Sequence, residues 1–143
     1  MSNSRHDPEC IFCRIANGEA PAAVIVETDD VIAILDAFPA VEGHTLVMPK
    51  SHHPGLQDIP AELLQACAAA SQQVALAVER TLGPDGIALA QYNGSAAGQT
   101  VFHYHQHIMP RWHGRRPEAH GSTPADMDEL QALAERIRAQ LDW

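Results

Sequence analysis

The sequence predicts an α+β domain built on an antiparallel sheet. Short runs of β-branched and other apolar residues outnumber the segments with helical periodicity. The predicted hairpins are local, which favours antiparallel pairing over the long crossovers that parallel strands require. The chain has 143 residues, enough for a sizeable core, and we expect a single domain over residues 1–143.

Five apolar runs are the predicted strands. The first two flank Thr28-Asp29-Asp30, an acidic turn typical of a hairpin. The third run follows Gly43, and the last two are joined by a loop of small and polar residues over 93–99. The runs are 22–27, 31–36, 44–49, 87–92 and 100–110.

Two segments repeat their apolar residues at helical spacing. Pro60 opens the first helix, with Asp58 as a candidate cap, and Gly83-Pro84 ends it. The second helix follows residues 123–126, which resemble a capping box that begins at Thr123. We expect both apolar stripes to be core or dimer contacts, with Cys67 simply buried, and residues 112–122 to be a loop. The stripes are Leu63, Cys67, Ala70, Val74 and Val78 in the first helix and Met127, Leu130, Leu133, Ile137 and Leu141 in the second.

The charge balance excludes two classes of partner. Acidic residues number 18 and basic residues 9, for a formal charge of −9, and so acidic a surface repels nucleic-acid backbones and anionic membranes. The first ten residues lack the apolar core of a signal peptide, and no stretch approaches the ~20 apolar residues of a membrane span. Three cysteines fit a disulfide framework poorly. We therefore expect a soluble cytoplasmic protein with reduced thiols and no nucleic-acid or membrane partner.

Three of the nine histidines alternate along the fifth run. On a strand, His103, His105 and His107 share one face, and the apolar residues among them pack on the other. Three charged imidazoles on one face repel one another, so the row requires an anion, a metal or neutral states. The residues expected to pack on the other face are Phe102, Tyr104 and Ile108.

This histidine row has three possible interpretations. A solvated row of incidental histidines is disfavoured by the strict two-residue period. A catalytic zinc site that uses all three is disfavoured because alternate strand residues lie ~6.7 Å apart, although one or two could bind a metal. An anion site is favoured, because the loop 94–100 leads into the row. Its small residues let backbone N–H groups approach a phosphate, and Gln99 and Thr100 add side-chain donors.

Residues 98–109, Gly-Gln-Thr-Val-Phe-His-Tyr-His-Gln-His-Ile-Met, closely resemble the signature of the histidine triad (HIT) family, which is His-x-His-x-His followed by two apolar residues. The resemblance continues upstream through Ile11-Phe12, Leu35-Asp36 and the segment 43–50. It covers a core of residues 10–112 and leaves 113–143 as a C-terminal loop and helix. The chain is most similar to bacterial HIT hydrolases that begin with Cys-x-x-Cys.

The resemblance implies a HIT-like α+β fold, an antiparallel five-stranded sheet with two main helices, and a sheet that extends across a homodimer. It also implies hydrolysis or transfer at the α-phosphate of a nucleotide through a nucleotidyl-histidine intermediate. Such covalent catalysis splits one difficult displacement into two. Imidazole is mostly neutral and nucleophilic at pH 7, so it needs orientation and neutralisation of the phosphate charge rather than a strong base.

Residue roles follow from the resemblance position by position. His105 is implied as the nucleophile, His107 as the contact to the phosphate oxygens, and His44 as an orienting partner behind the nucleophile. The remaining implied roles belong to phosphate-binding Gln99 and Thr100, ribose-binding Asp36, and base-pocket Ile11, Phe12 and Ile34. Ordinary core packing is the alternative for the last three.

One position departs from the family pattern. Relatives carry Asn or Gln just before the loop, where this chain has Tyr92, and the following Asn93 would substitute only in part. The contact on the leaving-group side, and with it the preferred substrate, depends on this position. In the tail, His113, Arg115 and Arg116 would either meet an extended polyphosphate or lie in a solvated loop.

Cys10 and Cys13 have the spacing of a zinc-binding pair, with a redox-active or incidental pair as the alternative. The resemblance places a zinc ion on this pair, completed by His52 and His103, with adjacent His53 as the rival ligand. Four protein ligands close a tetrahedral site, which implies a structural ion rather than a catalytic one.

The sequence therefore predicts a zinc-containing nucleotide hydrolase or transferase acting on a dinucleoside polyphosphate or a nucleoside phosphoramidate. The resemblance alone implies a purine nucleotide with adenine as its base. The implied catalytic set is His44, His103, His105 and His107. A nucleotide-binding sensor or scaffold without significant turnover is the alternative from another class, and a hydrolase that uses the Cys/His metal catalytically is a second.

Overall fold

The structure, a computed structural model, describes residues 5–116 and 123–142. Within these residues the strands are β1 (Val24–Glu27), β2 (Val31–Leu35), β3 (Thr45–Pro49), β4 (Gly86–Ala90) and β5 (Gln106–Arg111). The helices are α1 (Ile11–Ala16), α2 (Ala61–Leu82) and α3 (Met127–Arg138), with a 3-10 turn at Ser95–Ala97. The strands pair antiparallel in the order β1-β2-β3-β5-β4, which confirms the predicted five-stranded sheet.

Side-chain alternation divides the sheet into two faces with separate cores. Val31, Ala33 and Leu35 of β2 pack with α2 and α3, whereas Ile32 and Ile34 pack with α1. Every residue of β2 and β3 is buried, because both faces of these strands are covered. The two main helices therefore lie on one face, and the other face is left to α1 and to the histidines described below.

The β1–β2 hairpin follows the prediction. The Thr28 hydroxyl accepts hydrogen bonds from the N–H groups of Asp30 and Val31 at 3.3 and 3.1 Å. These bonds close the acidic turn by the mechanism typical of Ser and Thr in turns.

Helix α2 ends as predicted but begins without the predicted cap. Gly83 adopts φ 61° and ψ 45°, the left-handed conformation that terminates many helices. Pro60 is the residue before the first helical turn, and no side chain among the described residues caps it. The Asp58 prediction is wrong because Asp58 belongs to the preceding turn, where its N–H donates to the carbonyl of Gly55 at 3.0 Å. Cys67 is fully buried, as predicted.

Helix α3 is capped one turn later than predicted. The Asp126 carboxylate accepts a hydrogen bond from the N–H of Glu129 at 3.1 Å, so Asp126 is the N-cap and the Thr123 prediction is wrong. The physical reason is that helical backbone begins only at Met127. The stripe of this helix is buried at Leu130 and Ile137, as expected of a core face.

The strands nearest the histidines are shorter than predicted. β4 ends at Ala90, so Tyr92 lies outside it, and β5 begins at Gln106, so His103 and His105 precede the sheet. The Tyr104 N–H donates to the carbonyl of His53 at 2.7 Å, a loop contact rather than part of a strand ladder. The expectation of one continuous strand through all three histidines is therefore wrong.

Two further differences concern short or exposed segments. Phe102 was expected to pack against the sheet but is 48% exposed, because it lies in the irregular segment before β5. The sequence does not predict α1, since six residues are too few to display helical periodicity.

Among the described residues, none of the helices is long and apolar enough to cross a membrane. Of the predicted loop 112–122, residues 117–122 lie outside the described residues.

Candidate active site and metal centre

A row of side chains crosses the α1 face of the sheet from β2 to β5. Ile34 pairs with Leu46 of β3, and Leu46 pairs with His107 of β5. Paired residues of neighbouring strands project on the same face, so these three side chains line one cavity of about 210 Å³. We call it the apolar cavity; its apolar side chains include Ile11, Phe12, Ile34, Phe38, Leu46 and Met127.

A second cavity of about 370 Å³ has three lining residues in common with the apolar cavity. Thr100, His105 and His107 line both cavities, so the imidazoles of His105 and His107 stand between them. We call the second one the loop cavity, because residues 97–100 form one of its sides. Tyr92 and His44 complete its polar lining.

The orientation of His105 is set by a backbone carbonyl. The His105 Nδ1 lies 2.7 Å from the carbonyl oxygen of His103, and because a carbonyl only accepts, Nδ1 must carry the proton. In the neutral imidazole, the lone pair is therefore on Nε2. The edge-to-face contact with the Phe12 ring, at a centroid distance of 5.0 Å, also restrains the imidazole.

A hydrogen-bond relay sets the tautomer of His107. His44 Nδ1 accepts from the N–H of Ala40 at 3.0 Å, so the proton of a neutral His44 is on Nε2. That Nε2 lies 2.9 Å from Nδ1 of His107 and 3.6 Å from a carboxylate oxygen of Asp36. His107 accepts at Nδ1, so its own proton is on Nε2. The relay prepares His107 to donate from Nε2.

The side chain of Gln99 braces the loop that precedes the histidines. Its carbonyl oxygen accepts from the N–H of Gly94 at 2.7 Å, and its amide donates to the carbonyls of Pro54 at 2.6 Å and Val101 at 3.1 Å. Both amide hydrogens are thus already engaged. In this structure, Thr100 rather than the Gln99 side chain is available on the wall shared by the two cavities.

The structure separates Tyr92 from its neighbour Asn93. The Asn93 amide pairs with that of Gln91 through two 2.9 Å hydrogen bonds, and its oxygen also accepts from the N–H of Leu56 at 2.7 Å. Asn93 lines neither the apolar nor the loop cavity, whereas Tyr92 lies in the loop cavity with its ring 5.5 Å from that of His107. The Asn93 side chain therefore does not take the place of the amide that relatives carry at the position of Tyr92.

The residues of the apolar cavity that sequence reasoning missed include Phe38, Leu46 and Met127. Phe38 follows Asp36 by two positions and is an exposed aromatic, a pattern that has no decisive meaning in sequence alone. Leu46 and Met127 look like ordinary core positions of a strand and a helix. Met127 corrects the expectation that the stripe of α3 makes only core or dimer contacts, since it lines the cavity.

In the described part of the basic tail, residues 112–116 line neither the apolar nor the loop cavity. The Arg115 guanidinium lies 4.7 Å from the centroid of the Trp112 ring, and the N–H of His113 donates to Asp85 at 2.7 Å. His113, Arg115 and Arg116 are exposed, and none of them lines the apolar or the loop cavity. Among the described residues, this arrangement fits the solvated loop better than a polyphosphate contact.

Four side chains converge at the N-terminus of α1. The sulfur atoms of Cys10 and Cys13 and the Nδ1 atoms of His52 and His103 all lie within 4.8 Å of one another. Individual separations are 3.3 Å between Cys13 and His52 and 3.5 Å from His103 to each cysteine. A tetrahedral zinc site with such ligands has edges of about 3.6 Å, so the donor set fits zinc in chemistry and in size.

The protonation of His103 suits a metal ligand. Its Nε2 lies 2.7 Å from the carbonyl oxygen of Pro49 and must donate, which leaves the lone pair of Nδ1 facing the sulfur atoms. Burial lowers the pKa of His103 to about 4, so the ring is neutral at pH 7. Burial raises the pKa of Cys13 to about 11, and a bound cation would reverse this by favouring the thiolate.

His53, the rival ligand, is engaged elsewhere. Its Nε2 is 2.9 Å from the Ser51 hydroxyl and its Nδ1 is 3.3 Å from the Arg5 guanidinium. It is absent from the four-residue cluster, in which His52 takes part.

The sheet and the three alternating histidines beside a glycine-bounded loop define a histidine triad protein. Residues 17–114 match the sequence model of the HIT domain, and the chain belongs to the HIT family. The family binds nucleotides and includes nucleotide hydrolases. Over 111 residues the chain is 39% identical to the adenylylsulfatase HINT3 of Arabidopsis thaliana, covering 78% of this chain and 56% of that protein.

Solved structures agree with this assignment. A Hit-like protein from Bartonella henselae, crystallised with an unknown ligand, is 37% identical with a TM-score of 0.90, covering 96% of this chain and 100% of that one. A zinc-bound histidine triad family protein from Mycobacterium smegmatis is 40% identical with a TM-score of 0.81, covering 92% of this chain and 94% of that one. A zinc-bound relative and the Cys/His cluster together indicate a zinc site in this chain.

Proposed function

We propose that this protein is a nucleotide hydrolase or transferase that cleaves at the α-phosphate through a nucleotidyl intermediate on His105. The observation that carries the proposal is the position of His105 on the wall shared by the apolar and loop cavities, with Nδ1 tied to the His103 carbonyl. A nucleoside in the apolar cavity then has its 5′-phosphate beside Nε2, the nucleophilic nitrogen.

The nucleoside side of the site supports an adenosine-containing substrate. The apolar cavity offers side chains such as Phe12, Ile34 and Phe38 to a base, and Asp36 is a buried carboxylate on its wall that suits ribose hydroxyls. The relative HINT3 is an adenylylsulfatase, which favours an adenylyl group here. The proposed substrates are dinucleoside polyphosphates and nucleoside phosphoramidates.

The proposed chemistry has two displacements at phosphorus. In the first, His105 Nε2 forms a bond to the α-phosphorus, and the bond to the leaving group breaks with its electron pair going to that group. In the second, water forms the new P–O bond and gives one proton to solvent, the P–N bond breaks, and its electron pair returns to Nε2 of His105. The leaving group of the first step takes up one proton from solvent. The Nε2–H of His107, set by the His44 relay, donates to a phosphate oxygen and stabilises the developing charge.

The zinc ion is proposed to be structural. Cys10, Cys13, His52 and His103 would supply all four positions of a tetrahedral ion, which leaves none for a catalytic water. When bound, zinc supplies a fixed cross-link between the start of α1 and the segment that carries the nucleophile. His103 belongs to that cluster through its side chain and orients His105 through its carbonyl.

A homodimer that extends the sheet through β4 is also proposed. β4 is one edge of the sheet, and its Leu89 is 55% exposed. At the other edge, the guanidinium of Arg138 donates to the carbonyls of Val24 and Ile25 in β1, which protects that edge from pairing. Sedimentation of wild-type protein and of Leu89→Lys tests this proposal: a dimer that becomes a monomer supports it, and a wild-type monomer contradicts it.

The central experiment compares His105→Ala with His113→Ala, a matched change at an exposed histidine outside both cavities. Wild-type protein and His113→Ala should release AMP from adenosine 5′-phosphoramidate or diadenosine polyphosphate, and His105→Ala should lose at least about 10³-fold in kcat while still binding AMP. A rapid acid-free quench should show one nucleoside monophosphate on His105 by mass spectrometry. Normal turnover by His105→Ala contradicts the mechanism.

Two other results would favour the alternatives. AMP binding by wild-type protein without release of AMP from any substrate favours a sensor or scaffold. Chelation that abolishes turnover while the melting temperature stays constant favours a catalytic metal over a structural one.

A further inference from the structure

We propose that Tyr92 selects the leaving group and favours substrates whose leaving group is uncharged and aromatic, such as an aromatic amine. The inference rests on the proposed function, because it concerns the group displaced from the α-phosphate. The preference concerns the leaving group, which binds on the side of the site opposite the nucleoside.

Tyr92 presents an aromatic face to the loop cavity. Its ring lies 5.5 Å from the His107 ring at an interplanar angle of 56°, and the residue is 39% exposed. On the loop side, a Cβ placed at Gly98 would lie 3.9 Å from two ring carbons of Tyr92, so the ring packs over this glycine in ordinary contact. The ring is therefore held beside His107 and still accessible.

Neither Gln91 nor Asn93 can take the place of Tyr92 in the loop cavity. The amides of Gln91 and Asn93 are paired with each other on the far side of the segment, which turns the intervening Tyr92 toward the cavity. The chain therefore has a phenol ring where an amide would otherwise supply hydrogen bonds to a leaving group.

The position of Tyr92 identifies the part of the substrate it meets. Tyr92 lines the loop cavity and not the apolar cavity, whereas His105 and His107 line both. With the nucleoside in the apolar cavity, the phosphate lies at the shared wall and the leaving group extends into the loop cavity. The Tyr92 ring is then a flat apolar surface for that group to stack on.

The charges around the loop cavity disfavour a long polyphosphate. Among the described residues, its lining contains no lysine or arginine, and its polar side chains are His44, Tyr92, Gln99, Thr100, His105 and His107. The arginines that follow the histidines in sequence, Arg111, Arg115 and Arg116, are not part of the lining. A leaving group with several negative charges finds no fixed cation there, whereas an aromatic amine needs only the ring.

The test compares two adenosine 5′-phosphoramidates, one that releases aniline and one that releases n-propylamine. The quantity measured is kcat/KM for the aniline substrate divided by kcat/KM for the n-propylamine substrate. Comparing this ratio between variants cancels the intrinsic difference in reactivity between the two substrates. Tyr92→Leu should lower this ratio by about 2- to 10-fold, the range for losing one aromatic contact, and Tyr92→Phe should leave it within about 2-fold. Phe102→Leu, at an exposed aromatic outside both cavities, is the matched control and should not change it.

Separate outcomes distinguish the failure of this inference from failure of the proposed function. An unchanged ratio in Tyr92→Leu, or an equal loss for both substrates, overturns the role of Tyr92 while the α-phosphate chemistry stands. If wild-type protein releases AMP from neither phosphoramidate but does so from diadenosine polyphosphate, the inference about Tyr92 is overturned and the proposed function stands. Release of AMP from none of the three substrates overturns the proposed function and this inference with it. Tyr92→Asn, a polar substitution at a partly exposed position, provides a second variant if Tyr92→Leu does not fold, with the same expected fall in the ratio.

Discussion

The Nδ1 atom of His105 lies 2.7 Å from the carbonyl oxygen of His103, whose own ring belongs to the Cys/His cluster. His103 therefore contributes to two features at once. Its side chain is a candidate metal ligand, fixed at Nε2 by the Pro49 carbonyl, and its backbone sets the tautomer of the proposed nucleophile. One residue, two positions before His105, thus contributes its ring to the Cys/His cluster and its carbonyl to the orientation of His105.

The first prediction concerns tautomers. Histidine ring ¹⁵N spectra at pH 8 should show the Nδ1–H form for His105 and the Nε2–H form for His44 and His107. The reason is that backbone groups fix His105 and His44, and His44 then fixes His107. An Nδ1–H signal for His107 would show that the relay runs in the opposite direction.

The second prediction concerns the metal. His52→Ala should lose zinc and lower the Tm by on the order of 10 °C, because a structural ion contributes directly to the free energy of folding. His53→Ala is the matched control and should keep its zinc, since His53 contacts Ser51 and Arg5 instead of the cluster. Elemental analysis and thermal unfolding provide the measurements. Retention of one zinc per chain in His52→Ala would exclude it as a ligand.

The third prediction concerns the buried thiol of Cys67. Burial raises the pKa of Cys67 from its ordinary value of 9.0 to about 12. At pH 8 only about one thiol in 10⁴ is ionised, so iodoacetamide should label Cys67 in denaturant but not in the folded protein. Because the pKa of Cys67 is higher in the folded protein than in the unfolded chain, the protonated thiol contributes to stability. This contribution to the free energy of unfolding is fully present below pH 9 and is lost as the pH rises toward 12. Equal labelling rates in folded and denatured protein, followed by mass spectrometry, would contradict this prediction.

The fourth prediction concerns the start of α3. Asp126→Ala should reduce the free energy of unfolding by about 1 kcal/mol and lower the Tm by roughly 2–4 °C, since it removes the carboxylate that accepts from Glu129. Thr123→Ala is the control and should have little effect, because Thr123 does not cap the helix. Thermal unfolding that shows the larger loss at Thr123 would place the cap where sequence reasoning expected it.

Much of the fold was predictable because its determinants are local. The Thr28 turn and the left-handed Gly83 each depend on a few neighbouring residues, and both appear as expected. The first and last residues of the strands and helices were less predictable, since they depend on contacts with residues that are distant in sequence. His103 and His105 lie before β5 because the Tyr104 N–H bonds the His53 carbonyl, a contact between residues 51 positions apart.

The sequence by itself determined the family and the chemical groups of the site. The alternating histidines and the Cys-x-x-Cys pair are patterns in adjacent residues, and they identify an imidazole site and a candidate zinc site without coordinates. The tertiary structure decided which groups meet: His52 rather than His53 joins the cysteines, and Tyr92 rather than Asn93 faces the loop cavity. The physical reason is that neighbouring residues point in different directions, and long-range hydrogen bonds select the one that reaches the site.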